Sequence, residues 1–376
     1  MRVLVAGAGI CGLATTLGLL RAGHEVRVLE EAEAPRLGGG AINLWPHGTY
    51  ALRALGVETA KLGQRFSRLA LRTATGHRVL ELDLDTMTTP MGSETRATPR
   101  GTLITALASL LPAEAVGYGD GVVDAGTDRD GAWARTASGR AHRADLLVGA
   151  DGVRSRVRQA VLGGPPAVAT GVATWQGLTP APFDTGATTT LTLGRQGDCG
   201  YMGAGDGLTQ WFFDLPSTID VPPSARLDVL RRRYGGWASP IPELLDALSP
   251  ADIEIFPHTR HRVPVRWGAG RCVLLGDAAH AMPPVMAHGA NQGLEDVSVL
   301  LECLESVALD EVVDVYSARR RRAAKVASAI ASRSLAISGP RTLAQSGPLL
   351  RPLALAPRRV VTAGFAGMLK AVSARR

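Results

Sequence analysis

Arg2-Val3-Leu4-Val5-Ala6-Gly7-Ala8-Gly9-Ile10-Cys11-Gly12 is the stretch from which the fold follows. Arg2 to Ala6, apolar after its opening arginine, is too short for a helix, as expected of a parallel strand buried on both faces. The three glycines then fall where a strand turns into a helix. Gly7 permits the tight turn, Gly9 lets a pyrophosphate approach the backbone, and Gly12 lets the helix pack against the strand. Leu13, Leu17 and Leu20 recur at helical spacing, Gly23 stops that helix, and Glu25 to Leu29 reads as a second strand ending in Glu30. Phosphates would rest on the helix's unpaired N–H groups. Glu30 lies 18 residues past Gly12, where a carboxylate accepts hydrogen bonds from ribose hydroxyls. The stretch therefore predicts dinucleotide binding by Gly7, Ala8, Gly9, Ile10, Cys11 and Gly12, with Glu30 and its neighbour Glu31.

The rest of the chain sets limits. Its 376 residues are 45% apolar and 20% charged, the composition of a globular protein with a sizeable core, which excludes collagen-like, disordered and disulfide-scaffold classes. The net charge of +7 is uneven: Val315 to Arg376 carries 13 Arg or Lys and no acid, while the first 314 residues hold 28 basic and 34 acidic side chains. An acidic body with a basic tail argues against nucleic acid and for a solvated tail, or a weak peripheral contact with an anionic membrane. No run of about 18 apolar residues exists, so no transmembrane helix is expected. The apolar N-terminus superficially resembles a signal peptide, but its glycine spacing points to the strand–turn–helix unit. Cys11, Cys199, Cys272 and Cys303 stand far apart, which indicates neither a metal site nor a disulfide framework and favours a reducing cytoplasm. Only three of the basic residues are lysine, a GC-rich coding bias that hints at a bacterial source.

Two further segments repeat the pattern of strand followed by a glycine-rich turn. Ala144 to Val148 leads into Gly149-Ala150-Asp151-Gly152-Val153-Arg154-Ser155-Arg156-Val157-Arg158. Arg271 to Leu275 leads into Gly276-Asp277-Ala278-Ala279-His280-Ala281-Met282-Pro283-Pro284, then Gly289-Ala290-Asn291-Gln292-Gly293. With these three ordered motifs the sequence resembles the FAD-dependent aromatic hydroxylases, the single-component flavoprotein monooxygenases of the para-hydroxybenzoate hydroxylase type, over residues 1 to about 335. The resemblance implies that Gly7, Gly9, Gly12 and Glu30 hold the ADP half of FAD, and that Arg36 and the run through Gly40 and Ala41 pass beside the flavin. It further implies that Arg100 reaches the ribityl and phosphate region, that Asp151 and Arg158 serve both FAD and the nicotinamide donor, and that Asp277 with Gly276 bonds the ribityl chain. A carboxylate between Gly276 and Ala278 at a strand's end has no bulky neighbour, which suits a hydroxyl-rich chain.

Pro283 and Pro284 break the chain into a loop, and Gly289, Ala290 and Asn291 open a helix with an apolar stripe at Leu294, Val297 and Leu301. Its N-terminus would face the flavin and favour the reduced, negatively charged form. Relatives carry Gln or Lys where His288 stands, so His288 and Pro284 are the candidate catalytic residues at the flavin and substrate edge. His280 reads as a structural hydrogen bonder, and His47 stands where relatives have Asn.

Between Gly163 and Pro264 fall nine of the 17 aromatic residues. Runs at Ala167 to Leu178, Thr188 to Leu193 and Leu208 to Leu215 read as strands of a second, largely antiparallel sheet. Relatives use such a sheet as the roof of the substrate pocket, and Trp175, Tyr201, Met202, Trp211 and Phe213 are its candidate substrate contacts. The expected α/β architecture is a Rossmann-like FAD-binding domain of the glutathione-reductase type with an inserted β-sheet substrate domain and C-terminal helices. Its parts are 1–164, with inserted strands near 66–98; 165–264, the substrate sheet; 265–335, the closing part of the FAD domain; and 336–376, a basic helical tail. That tail is punctuated by Pro340, Pro348, Pro352 and Pro357 and ends in an amphipathic helix from Arg359 to Val372, expected to cover the FAD domain.

The implied activity is an NADH- or NADPH-dependent FAD monooxygenase, a monomer or homodimer, that hydroxylates an electron-rich aromatic or polycyclic, natural-product-like molecule through a flavin C4a-hydroperoxide. Its rivals are epoxidation or Baeyer-Villiger insertion with the same cofactor, and a non-catalytic FAD-binding accessory protein. The cofactor carries this chemistry.

Overall fold

The computed structural model describes residues 1–86, 88, 92–338 and 357–373. Strand Arg2–Ala6 lies between Glu25–Leu29 and Leu146–Gly149, parallel to both. Four of its five residues are buried, which explains the unbroken apolar run in place of an alternating one. Cys272–Leu274 pairs in parallel with Leu146–Gly149, Val116–Gly117 extends the other side, and antiparallel Gly268–Ala269 closes a six-stranded sheet. The three glycine-rich motifs therefore leave the carboxyl ends of three adjacent parallel strands. That edge is where open α/β sheets bind ligands.

The helix Ile10–Arg21 packs its Gly18 so tightly that an added Cβ would stand 2.4 Å from Leu301 on the helix His288–Ser306. Behind them, helix Val312–Ser338 buries Arg320 completely. Its guanidinium donates to Asp296 at 2.6 Å, Glu295 at 3.1 Å and Gln292 Oε1 at 2.8 Å. A buried cation with two carboxylates and a carboxamide is fully compensated, and losing one partner there costs several kcal/mol, about 3 to 5.

A second sheet has seven strands in the order Glu254–Arg260, Val168–Pro180, Leu208–Pro216, Gly197–Gly205, Thr188–Gly194, Arg68–Thr73 and Arg78–Asp83. Every pairing in it is antiparallel except that of Thr188–Gly194 with Arg68–Thr73. Register assigns the faces. Trp175 sits opposite Phe213, and Tyr201 opposite Trp211, on one face; Gln176 opposite Phe212, and Met202 opposite Gln210, share the other. The first face is covered by helices Arg226–Tyr234 and Ile241–Asp246, forming a core with Leu230, Tyr234 and Leu244.

This arrangement corrects the expected substrate contacts. Trp175, Trp211 and Phe213 are wholly buried and Tyr201 nearly so, all in that core and turned away from the first sheet. A side chain with no free surface has none left for a ligand. Of the five, Met202 alone points the other way, into a cluster with Trp45, Phe66, Leu82 and Leu369.

The helix Arg358–Ala371 lies on that same cluster, with Phe365 edge-on to Trp45 at 5.5 Å between ring centroids. Gln292 Nε2 donates to the Val372 carbonyl at 2.7 Å, and the Ser373 hydroxyl to Glu295 at 2.6 Å. The predicted C-terminal helix thus packs within the molecule. Pro340, Pro348 and Pro352 lie outside the described residues. Among the described residues no helix is long and apolar enough to cross a membrane. Of the inserted strands expected near 66–98, Arg68–Thr73 and Arg78–Asp83 join the second sheet and Arg96–Pro99 pairs with Ala41–Leu44 and Gln64–Arg65; the small sheet of Val122–Asp128, Gly131–Thr136 and Ala141–Ala144 was not anticipated.

Candidate active site

At the carboxyl end of Arg2–Ala6, Gly7 adopts φ +96°, and an added Cβ would lie 2.7 Å from the Ala150 carbonyl of the second motif. A Cβ on Gly12 would fall 1.9 Å from the Gly7 oxygen, so helix and turn are in backbone contact. At Gly9 nothing lies within 4 Å. Gly9 is also the helix N-cap and supplies no side-chain partner, which leaves the first-turn N–H groups facing open space. Two glycines are demanded by the fold and the third keeps a channel clear, the geometry a pyrophosphate requires.

Glu30 closes the cradle, accepting from Ala8 N–H at 2.6 Å and Ala32 N–H at 2.9 Å. Each oxygen retains a further lone pair for a hydroxyl donor. Glu31 is exposed and pairs with Arg36 at 2.7 Å, and Arg36 also stands 3.9 Å from Glu30. Arg100 donates to the Arg36 carbonyl at 2.7 Å and the Gly38 carbonyl at 3.2 Å, pinning the loop that leads to Gly40 and Ala41. Cys11 is packed between two glycines of the third motif: a Cβ on Gly293 or Gly276 would meet its Sγ at 2.3 or 2.9 Å. Burial, then the charges of Asp296 and Asp277, push this thiol well up. Cys11, like the buried Ile10, offers the cleft only its backbone.

In the second motif Asp151 accepts from the Ser155 hydroxyl at 2.5 Å and from Arg156 and Val157 N–H at 2.7 and 3.1 Å, anchoring helix Arg156–Leu162. Arg158 donates to the Ala278 and Ala279 carbonyls at 2.9 and 2.8 Å and so ties the second motif to the third. Both side chains position the site. Asp277 differs, because among the described residues no side chain or N–H donates to its carboxylate. It faces solvent yet is hemmed in by protein, and that enclosure raises it above the ordinary carboxylate range. Gly289 opens the next helix beside it, its Cβ position 3.9 Å from Asp277 Oδ1.

The loop from Pro284 to His288 is strained. Met286 and Ala287 both adopt left-handed backbone, φ +65° and +52°. Trp45 Nε1 donates to the Met286 carbonyl at 2.9 Å and Asn291 Nδ2 to the Ala287 carbonyl at 2.7 Å, which holds that geometry. Pro284 and the first-turn residues Gly289 and Ala290 retain free surface, whereas Asn291 is buried and bonded entirely to protein. His288 corrects the sequence reading. Its ring has no exposed surface, so it does not stand at a flavin or substrate edge. Burial and then the charge of neighbouring His47 lower it to about 4. His280 plays the structural part expected of it, 2.6 Å from Asp296.

Sequence reasoning expected the second sheet as a roof but missed the side chains that face the cleft from it. Ala41 N–H donates to Gln210 Oε1 at 2.5 Å, and a Cβ on Gly40 would lie 2.7 Å from Gln210 and 3.0 Å from Gln176. These carboxamides alternate with Trp175, Trp211 and Phe213, so the period-two pattern that picked out the rings also marks them as facing the opposite way.

These residues fit FAD: a clear pyrophosphate channel, a carboxylate at the ribose end, and an undonated carboxylate farther along the same edge. The family model described as "FAD binding domain" matches residues 1–188 and 242–331. Aurachin C monooxygenase/isomerase of Stigmatella aurantiaca is 34% identical, with 81% of this chain and 80% of that protein aligned. For 3-amino-4-hydroxybenzoate 2-monooxygenase of Streptomyces cremeus the identity is 32%, over 85% and 83%. The crystal structure of Klebsiella pneumoniae HpxO with FAD and uric acid superposes with a TM-score of 0.92 at 25% identity, covering 99% of this chain and 97% of that one. The three motifs, the open cradle and these likenesses establish that this chain belongs to the FAD-dependent aromatic hydroxylases and is an FAD-dependent monooxygenase.

Proposed function

We propose that this monooxygenase hydroxylates a planar aromatic or heteroaromatic ring, with NADH or NADPH as electron donor, in the cleft between the carboxyl edge of the parallel sheet and the Gln176/Gln210 face of the second sheet. The observation that supports this reading is the meeting of Gln210 with Gly40 and Ala41, which sets the second sheet over the loop that would run beside the flavin. FAD, when bound, supplies the two-electron chemistry that activates dioxygen.

The chain's own part is to bind and orient. Gly9 and the N–H groups at the start of Ile10–Arg21 receive the pyrophosphate, Glu30 the ribose, and Asp277 the hydroxyl chain. Gly289 and Ala290 present first-turn N–H groups, whose dipole favours negative charge on the ring system beside them. Arg158 holds the second and third motifs together so that these groups keep their spacing. The roof orients the substrate and sheds water, and that placement is what the protein adds to the cofactor's reactivity.

The test is a panel of phenols, hydroxypyridines and polycyclic quinols with FAD-loaded protein, following NAD(P)H consumption and, by mass, incorporation of one oxygen atom from labelled dioxygen. Coupled consumption and ring-oxygen incorporation support the reading. Oxygen appearing only in epoxide or ester products overturns it.

A further inference from the structure

On the roof face, between Gln176 and the end of the sheet, lies a polar cluster that the reading above does not use. Thr174 and Asp214 are cross-strand partners, and the Thr174 hydroxyl donates to Asp214 Oδ1 at 2.6 Å. That spends its only proton. His258 Nε2, 2.6 Å from the same hydroxyl oxygen, must therefore be the donor in that contact, and Nδ1 is left as a bare acceptor. The His258 residue is only 1% exposed, and among the described residues its Nδ1 has no partner. Asp214 keeps 14% of its side chain exposed.

The strand Glu254–Arg260 locates this cluster. Glu254, at one end, lies 3.5 Å from the Cβ position of Gly38. His261, just past the other end, donates its N–H to the Ala281 carbonyl at 2.8 Å and stands 2.9 Å from the Val153 carbonyl. The strand thus bridges from the first motif's loop to the second and third motifs, above the cleft. Phe256, directly opposite Thr174, is 50% exposed, and the ring of Phe212 lies over Gly200 two residues from Asp214. Rings and acceptors share one face.

From this geometry we infer that Asp214, braced by Thr174 and His258, is the base that takes the proton from a ring O–H or N–H of the substrate, so that the enzyme selects phenols and N–H heteroaromatics. The electron pair of the broken O–H or N–H bond stays on the ring and enriches the carbon that is oxygenated. When one oxygen atom of dioxygen joins that carbon, the O–O bond breaks and the other atom leaves as water with the two electrons of the nicotinamide donor; the ring hydrogen leaves as a proton, and the proton held by Asp214 returns to the ring oxygen or nitrogen of the product. Dioxygen is the oxidant and the nicotinamide donor the reductant, as in the reaction proposed above, on which this inference rests. Burial raises Asp214 to about 6, against the lowering effect of the Thr174 hydrogen bond. A base so tuned works near neutral pH. The other titratable groups about it are Asp198 across the strand pair, the neighbouring Cys199 thiol, pushed up by burial and then by the charges of Asp198 and Asp214, His258, held to about 4 by burial, and Tyr234, whose hydroxyl donates to the Asp214 carbonyl at 3.3 Å.

The experiment compares FAD-loaded wild type, Asp214→Asn and Thr174→Val on the phenols and hydroxypyridines of the panel and on their methyl ethers. The absorbance of the bound ring is read before any NAD(P)H is added, then coupled turnover against pH. Wild type should show a rising limb near pH 6, where Asp214 titrates, and should shift the absorbance of the most acidic rings of the panel toward their ionised form while ordinary phenols, which titrate near 10, bind neutral. Asp214→Asn should bind the neutral ring, lose the limb and fall roughly 100-fold in kcat. Thr174→Val removes a hydrogen bond that holds Asp214 down, so the limb should move to higher pH; this variant decides the matter if Asp214→Asn fails to fold. Retention of the ionised ring and the limb in Asp214→Asn, an unmoved limb in Thr174→Val, or methyl ethers reacting as fast as their parents would overturn the assignment. A wild type that incorporates oxygen into no ring would instead defeat the proposed function, while the binding spectra still decide the role of Asp214.

Discussion

The Trp45 backbone N–H donates to Asn291 Oδ1 at 2.8 Å across 246 residues of sequence, and Asn291 Nδ2 donates to the Asn43 and Ala287 carbonyls at 2.8 and 2.7 Å. One carboxamide thus fastens the strand Ala41–Leu44 to the strained loop before the third helix of the site. Asn291→Ala removes the partner of one buried and two part-buried backbone groups and should cost about 2 kcal/mol. Chemical denaturation measures the loss, and FAD affinity should fall with it because the Pro284–Gly289 loop is no longer held. Unchanged stability would mean that the loop holds itself.

Gly9 and Gly12 should separate folding from binding. Among the described residues nothing lies within 4 Å of a Cβ at Gly9, so Gly9→Val should fold with near-native stability but fail to retain FAD, read as loss of flavin absorbance after gel filtration. At Gly12 a Cβ would collide with the Gly7 carbonyl at 1.9 Å, so Gly12→Val should lose the fold itself, read by circular dichroism.

The two faces of the second sheet make opposite predictions for adjacent residues. Trp211 is wholly buried in the core beneath the sheet, and Trp211→Ala should destabilise by about 3 to 5 kcal/mol through the cavity it leaves. Phe212 is half-buried on the roof. Phe212→Ala should cost less stability and raise KM for ring substrates, measured by steady-state kinetics at saturating NAD(P)H. Equal stability losses at the two positions would contradict the assignment of faces.

Acid should unfold the protein partly through His288. Its ring is held at about 4 by burial and by His47, whereas an unfolded histidine titrates near 6.5. A base depressed on folding contributes stability that is complete above the unfolded value and is lost as pH falls toward the folded one. Between pH 6.5 and 4 the wild type should therefore lose up to about 3 kcal/mol that His288→Leu does not lose, as seen in urea midpoints across that window. His258 acts alike in both proteins and cancels in the comparison.

The parallel sheet and its three motifs were legible because their glycines answer to backbone constraints, which a sequence displays directly: Gly7 needs a positive φ, and Gly12 tolerates no Cβ. Which face of the roof meets the cleft was not. Alternation in 208–216 shows that Trp211 and Phe213 face opposite to Gln210, Phe212 and Asp214, but nothing local says which set meets the cleft. Helices far along the chain settle it by covering the tryptophan side. His288 misled for a related reason. Its position beside Gly289 is local information, whereas its burial against His47 depends on the packing of Pro46–Ala54 on the helix His288–Ser306.

The helix Arg358–Ala371 completes a cluster that Trp45 and Phe66 begin. In order of synthesis, then, the wall beside the cleft stays unfinished until nearly the whole described chain has been made, and a nascent polypeptide carries Trp45 and Phe66 with only the earlier part of their cover, Leu82, Ala97 and Met202, until then. Shielding them in the interim falls to whatever attends the chain as it is made.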